Sequence, residues 1–432
     1  MSVDVISRCV PGQVTLLERP GALLPMGSRL QLAQCTADQA SLPQKEAPGI
    51  RSYLPGRVPV KGVYIHVPFC RHRCHYCDFY TIAGREEAFT AYVERVKDEI
   101  RASAAVVQGP LETIFIGGGT PTILPPGLLG QLLDAIRTTL PLGTNCEWTV
   151  EANPETVSEA CAEALAQGGV NRVSLGAQSF NPDQLKVLER QHDPSSVGRS
   201  LSRLRQAGIR QLSLDLIFAI PGQTLEQWDA DLSAALELEI DHISAYSLVY
   251  EQGTPLTRRR DRGDVTPVDE DMEAAMYEHT ITRLAQAGMV QYEISNWANP
   301  EAQCRHNLLY WSNENWWAIG PGASGHVQGV RWKNLPRLAA YLEGAGLPGI
   351  TMPEQLDEDG RIGEEFMMGL RLLEGMERER VESLLAGGSR APSRRTAIEG
   401  HVATGHLVWE GGRLRLTSAG LMVADSIIMD LL

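Results

Sequence analysis

The chain is short of cysteine, of positive charge and of long apolar runs, and each shortage closes off a class of protein. Eight cysteines in 432 residues are too few for a disulfide scaffold. Only Cys70, Cys74 and Cys77 fall close together, so a reducing cytoplasm is the expected compartment. Lys and Arg number 39 against 53 Asp and Glu, a net charge of −14. A general nucleic-acid binder needs the opposite excess, although this total leaves room for a local basic patch. No apolar run reaches the roughly 20 residues that cross a bilayer, and no secretory pattern is read at the start. The expectation is a globular chain of two or three domains, with no integral membrane segment and no nucleic acid as partner.

What is present begins with Cys70-Arg-His-Arg-Cys74-His-Tyr-Cys77-Asp-Phe79. It follows the apolar run Gly62-Val-Tyr-Ile-His-Val67, which reads as a short strand, so the cysteines lie on the loop leaving its end. Three thiolates do not complete a tetrahedral zinc site, and no well-spaced fourth ligand follows. They do hold three corners of a 4Fe–4S cube, leaving one iron open to a ligand. A partial zinc site, or three unrelated buried cysteines, is the bland alternative. The CxxxCxxC spacing resembles the signature of the radical SAM enzymes. That resemblance implies an open iron that chelates S-adenosylmethionine.

From residue 62 onward, short apolar runs alternate with amphipathic helical stretches. The runs are 63–67, 113–116, 148–150, 172–175, 212–218 and 242–248. Between the first two, Phe89, Tyr92, Val93, Val96 and Ile100 keep helical spacing. Six strand–helix units in succession predict an α/β fold with a parallel sheet and helices outside. No GxGxxG opens the first unit, so a partial (β/α)6 barrel is preferred to an open doubly wound sheet, and the resemblance agrees. Residues 1–58 show no periodicity and read as a poorly ordered or loosely packed extension, with Cys9 and Cys35 far apart and Met26 as an alternative start.

Barrels of this kind gather chemistry at the C-terminal ends of their strands. After the second run comes Gly117-Gly-Gly119-Thr120-Pro-Thr122, and after the third Glu151-Ala-Asn-Pro154. Gly176-Ala-Gln178-Ser179 follows the fourth, and Asp215 lies within the fifth. A glycine run lets a ligand approach the backbone. Glu151 offers an acceptor to an ammonium, Arg190 a fork to a carboxylate, and Asp215 in an apolar run needs a partner. Each has a plain alternative as a turn, a helix-capping acid, a loop amide or a solvated charge.

Together, Tyr64-Ile-His-Val-Pro68-Phe-Cys70, GGGTPT, Glu151-Ala-Asn-Pro154 and Pro221-Gly-Gln-Thr224 resemble the HemN/HemW branch of the radical SAM superfamily over roughly residues 60–430. Carried over, Cys70, Cys74 and Cys77 bind the cluster, and Tyr64, Gly118 and Glu151 contact S-adenosylmethionine. Gly119, Thr120, Gln178, Arg190 and Asp215 match positions around a second S-adenosylmethionine, with Tyr76 and His326 as further contacts. The oxidases of the branch carry a fourth cysteine two residues after the third, where this chain has Phe79. His306-Asn-Leu-Leu-Tyr310-Trp311 matches HNxxYW, the mark of the haem chaperones. It implies His306 as a haem ligand, with Tyr310 and Trp311 stacking on the porphyrin. Ordinary core packing is the alternative, and Cys304 is a competing ligand.

Four segments are expected: residues 1–58, a barrel over 59–300, an HNxxYW and Gly-rich segment over 301–350, and a C-terminal domain over 351–432. Gly344, Gly346, Pro348, Gly349 and Pro353 read as a linker. Beyond it, helices near 361–374, 377–386 and 392–404, a hairpin about Gly411-Gly412 and a final helix over 417–432 predict a winged-helix-like α+β domain. Three functions follow: a haem chaperone, an oxygen-independent coproporphyrinogen III dehydrogenase, or a cluster-bearing winged-helix regulator. Phe79 and HNxxYW favour the first, with haem, haem-acceptor proteins and a flavodoxin or ferredoxin as partners. The acidic balance disfavours the third.

Overall fold

The computed structural model describes residues 48–432. Cys9, Met26 and Cys35 lie outside the described residues. The described part of the expected loose extension is packed instead. Ile50 and Leu54 are buried, Gly49 bridges to Gly349, and Val58 pairs in parallel with Val107. Apolar residues at four-residue spacing supply this anchorage, and the Pro and Gly around them mask it in the sequence.

The six parallel strands are β1 (Gly62–Val67), β2 (Leu111–Gly118), β3 (Leu142–Ala152), β4 (Arg172–Gln178), β5 (Gln211–Phe218) and β6 (His242–Ser247). Each pairs in parallel with the next. Parallel neighbours need a crossover. It is supplied by α1 (Phe89–Ala104), α2 (Pro126–Thr139), α3 (Glu159–Gly168), α4 (Ser195–Gln206) and α5 (Leu225–Leu236). The periodic residues of α1, from Phe89 to Ile100, are all buried. A capping box starts α5: Thr224 Oγ1 accepts from the Gln227 N–H, and the Gln227 side chain accepts from the Thr224 N–H.

The sheet runs on past these six. β7 (Val290–Glu293) and β8 (Asn296–Ala298) add antiparallel strands beside β6. On the other flank β9 (Trp316–Ile319) lies parallel to β1. Antiparallel β10 (Ser324–Val327), β11 (Val330–Asn334) and β12 (Ile350–Gln355) follow. The order is β7-β8-β6-β5-β4-β3-β2-β1-β9-β10-β11-β12, an open row of 12 strands. It is a partial barrel with an antiparallel skirt at each edge.

β12 corrects the linker reading of residues 344–353. Pro353 is tolerated because β12 is the outermost strand and its register with β11 slips between Arg331 and Lys333. Beyond it, Glu358–Gly369, Arg378–Leu384 and Ala391–Ala403 are helices. A hairpin of Leu407–Glu410 and Arg413–Leu416 follows, with Gly411 and Gly412 both at positive φ as a tight two-residue turn requires. Met376–Glu377 adds a third strand. The expected last helix is two, Ser418–Met422 and Ala424–Leu431, interrupted at Val423. Glu364 ties this winged-helix-like part to the sheet. Its buried carboxylate pairs with Arg331 and accepts from Asn313 Nδ2.

Candidate functional site

The two ends of the barrel hold different chemistry. At the strand ends, Cys70 stands just past β1, with Cys74 and Cys77 on the loop beyond, all three free and partly buried. Burial pushes the Cys70 thiol up to about 11 and the Cys77 thiol up to about 12. Cys74 adds to both shifts and Cys70 to the second, so the three lie within electrostatic reach of one another. Thiols held protonated in this way become ligands only when a metal displaces the proton. Among the described residues no three His, Cys, Asp or Glu side chains converge on a single ion. Three cysteines that each hold a different iron of one cluster fit that spacing, whereas a zinc site does not.

A hydrogen-bonded arc links two of the cysteines across three strand ends. Thr120 donates to Cys70 Sγ at 3.7 Å, and Asn153 Nδ2 donates to Thr120 Oγ1 at 2.9 Å. Arg190 Nη2 donates to Asn153 Oδ1 at 2.9 Å and to the Gly176 carbonyl at 2.6 Å, while Nη1 reaches Cys74 Sγ at 3.6 Å. Burial opposes the Arg190 charge, but Tyr76, Cys74 and Glu155 around it more than restore it. Its Nε is buried with no partner. A buried donor left unmade costs about 1–3 kcal/mol, so this one suits a site that takes an anionic group. Gln178, at φ 64, stands over Gly176 with Asn153 and Arg190.

The glycine run is laid along the loop that leaves β1. The N–H groups of Gly119 and Thr120 donate to the carbonyls of Val67 and Phe69 at 2.8 and 2.7 Å. Gly118 has φ 102, and a Cβ there would stand 2.3 Å from the His66 ring. That ring is pinned, with Nδ1 hydrogen-bonded to Tyr64 Oη at 3.0 Å and Nε2 donating to the Tyr80 carbonyl at 2.8 Å. Position 118 therefore admits glycine on both counts. Glu151 Oε2 accepts from the Gly118 N–H at 3.0 Å. Burial, and then the charge of Asp215, pushes the Glu151 carboxyl up to about 7. Asp215 accepts from Ser174 Oγ at 2.9 Å, and Tyr64 stacks on Phe115.

The HNxxYW stretch lies at the opposite end. It forms the helix Arg305–Trp311, under the strand starts. Glu147, level with Thr113 and Gly62, accepts from the N–H groups of Arg305 and His306 at 2.9 and 3.1 Å. That places a carboxylate on the helix N-terminus, where the dipole favours it. His306 is fully enclosed. Its Nδ1 meets Thr113 Oγ1 and its Nε2 meets Tyr310 Oη, each at 2.7 Å, and the ring stacks 5.2 Å from Phe115. Burial pushes its pKa down to about 3, so the ring is neutral.

The residues expected to contact haem have protein partners in this structure. Both His306 nitrogens are hydrogen-bonded, and Tyr310 and Trp311 are buried beside it. Cys304 is buried too, its Sγ 3.6 Å from Glu147 Oε1. His326, expected as a further contact, lies away from the cysteine loop. The Gly-rich loop does reach the strand ends, where the Gly320 N–H donates to Glu99 Oε2 at 3.1 Å. β10 then runs back down and sets His326 opposite Trp316, which pairs with Gly62 at the start of β1.

Comparison with known proteins places this architecture. Residues 64–235 match the Radical SAM superfamily. Heme chaperone HemW of Mycobacterium tuberculosis (strain CDC 1551 / Oshkosh) is 36% identical over 399 residues, covering 88% of this chain and 97% of that one. The HemW of Lactococcus lactis is 40% identical over 322 residues, 74% of this chain and 84% of that one. That of Escherichia coli (strain K12) is 35% identical over 376 residues, 86% and 98% of the two chains. The chain belongs to the HemW family.

Among solved structures, the coproporphyrinogen III oxidase HemN of Escherichia coli, a radical SAM enzyme, superposes with a TM-score of 0.75 over 87% of this chain and 90% of that one. At 20% identity this shared fold speaks for architecture alone. Several side chains that build the strand-end site in this HemW family member carried no role in the sequence reading. Asn153 stood inside a quoted motif at a strand end and was open to discovery. His66 likewise stands inside a quoted motif, whereas Ser174 and Tyr80 give no signal, because what they do depends on which strand faces them.

Proposed function

We propose that this chain binds haem and passes it to acceptor proteins, and that it holds a 4Fe–4S cluster and S-adenosylmethionine at the strand ends. The observation that carries the reading is kinship over most of the chain with relatives named heme chaperones, 88% of this chain against 97% of the Mycobacterium relative. Phe79, in place of the fourth cysteine of the oxidases, favours it over a coproporphyrinogen III dehydrogenase. A cluster bound by Cys70, Cys74 and Cys77 would offer one iron free of protein ligands to S-adenosylmethionine and supply the electron for its cleavage.

The chain's own residues provide the setting. Thr120 donates to Cys70 Sγ and Arg190 to Cys74 Sγ. Glu151, held by the Gly118 N–H, presents an acceptor to the ligand's ammonium. Arg190 Nε and the Gln178 amide present donors to its carboxylate, and the glycines leave the backbone open to approach. An electron carrier of the flavodoxin or ferredoxin class and a cytoplasmic setting complete the proposal. No helix among the described residues is long and apolar enough to cross a membrane.

Glu151 gives this reading a pH dependence. Its carboxyl titrates at about 7, so the charge that receives the ammonium is lost as the pH falls through that value. S-adenosylmethionine is expected to bind more weakly below about pH 7, by up to about tenfold per pH unit for one linked proton. Glu151→Gln is expected to flatten the profile, as calorimetric titration across that range checks.

The function is tested by anaerobic reconstitution, haem titration, and a separate incubation of coproporphyrinogen III with S-adenosylmethionine and reductant. A stoichiometric Soret complex with no protoporphyrinogen formed is expected. Turnover of coproporphyrinogen would make this an oxidase despite Phe79.

A further inference from the structure

Glu99 of α1 is a carboxylate fully enclosed in the protein. Burying a charge is costly unless hydrogen bonds replace the lost water. Three donors do so here. The Gly320 N–H and Tyr341 Oη donate to its Oε2 at 3.1 and 2.5 Å, and Asn334 Nδ2 donates to its Oε1 at 3.3 Å. Arg95 is near enough to act on it by charge but is bonded to the Tyr341 and Gly346 carbonyls, at 2.9 Å each. An apolar side chain would fill the same space without the cost of desolvation. What the carboxylate supplies is acceptors for groups that arrive on two separate segments, the Gly-rich loop and the helix Leu338–Glu343.

Both segments reach the cofactor end. The loop is pressed on the end of β1, where a Cβ on Gly320 would stand 2.5 Å from the His66 carbonyl and one on Gly322 would stand 2.9 Å from the Tyr80 ring. The helix that carries Tyr341 gives the Leu338 N–H to Tyr80 Oη at 2.7 Å. Tyr80 follows closely on Cys77 in the chain, and its carbonyl holds the His66 ring. That ring lies against Gly118, whose N–H holds Glu151. Tyr92, on the same buried face of α1 as Glu99, donates to the His66 carbonyl at 2.7 Å. One face of α1 therefore fixes the end of β1, the exit of the cysteine loop and the seat of Glu151 together.

We propose that Glu99 is a positioning residue for the S-adenosylmethionine site, acting through the Gly320 loop and Tyr341 on His66 and Tyr80. The inference rests on the reading of that site given above. Glu99 is enclosed, so it acts on the ligand only through these neighbours. Its loss frees the loop and the helix from α1, and Gly118 and the cysteine-loop exit lose the surface that holds them in place. Glutamine is not equivalent: it keeps one acceptor but turns an amide N–H toward a group that is itself a donor.

The test is titration of S-adenosylmethionine into the reconstituted, reduced full chain, read by electron paramagnetic resonance of the cluster. Only folded, iron-loaded protein gives that signal, so lost stability alone does not shift the half-saturation point. Half-saturation is expected at about tenfold higher ligand in Glu99→Gln. A smaller increase is expected in Tyr341→Phe, which removes the hydroxyl donor and keeps the ring. Thr280→Val is the control. It takes away the acceptor of Trp228 Nε1, a buried bond of 2.8 Å between α5 and the helix Glu270–Gln286, and is expected to lower stability with half-saturation unchanged. Equal half-saturation in Glu99→Gln and the unaltered chain overturns the proposal, as does an equal loss in Thr280→Val. If Glu99→Gln holds no iron, Tyr341→Phe decides: a raised half-saturation point supports the proposal and an unchanged one overturns it. No response in the unaltered chain removes the S-adenosylmethionine reading itself, a failure seen before any variant is made.

Discussion

Replacing Cys74 by alanine is expected to abolish cluster assembly, with iron content and the broad absorbance of the reconstituted protein falling to background. S-adenosylmethionine affinity is expected to drop by about 100-fold or more, the loss of roughly 3 kcal/mol of binding free energy. The reason is local. Three thiols are available on the loop past β1, one for each protein-held corner of the cluster, so the loss of one leaves two. Cys74 is also the sulfur that Arg190 Nη1 approaches at 3.6 Å, and its removal leaves a buried guanidinium with one acceptor fewer. Cys161→Ala on α3 and Cys304→Ala under the barrel are the controls. Both thiols are buried away from the loop, and both variants are expected to keep their iron. Iron analysis with binding titration decides among these outcomes. Full iron in Cys74→Ala would mean that the cluster is held elsewhere.

His306→Ala is expected to lower stability by about 3 kcal/mol. The substitution removes a ring stacked on Phe115 and leaves a cavity in an enclosed place. It also takes the His306 partner from the Thr113 hydroxyl, at about 1–3 kcal/mol for a buried group left unmade, and one hydrogen bond from Tyr310 Oη. Denaturant unfolding measures the shift as a lower midpoint at constant slope. Unchanged stability with a lost haem spectrum would return His306 to the role of ligand. The expected pattern is the reverse, because the HNxxYW helix closes the barrel from below, seated on the Glu147 carboxylate.

The strands were legible because parallel strands buried on both faces read as short continuous apolar runs. α1 was legible because its buried face repeats at helical spacing. The strand-end chemistry was legible for a related reason: polar residues right after such runs are hard to explain by packing. Direction was not legible. His326 follows the Gly-rich loop closely in sequence, yet the chain reverses after Ile319 and carries it to the far end of the barrel. His306 misled in a different way. A histidine four residues before a tyrosine on one helix face looks alike whether it meets a ligand or a threonine, and only the strand starts above it decide. Pro353 reads as part of a linker because nothing in the sequence says that its strand is the outermost one.

Delivery of haem by this chain is measured by haem transfer. The reconstituted protein, loaded with one equivalent of haem and freed of excess, would be mixed anaerobically with an apo haem-acceptor protein and followed in the Soret region. The donor's band is expected to decay as the acceptor's holo spectrum grows, faster than haem leaves the protein on its own. Transfer no faster than spontaneous release, or no haem retained at all, would contradict it.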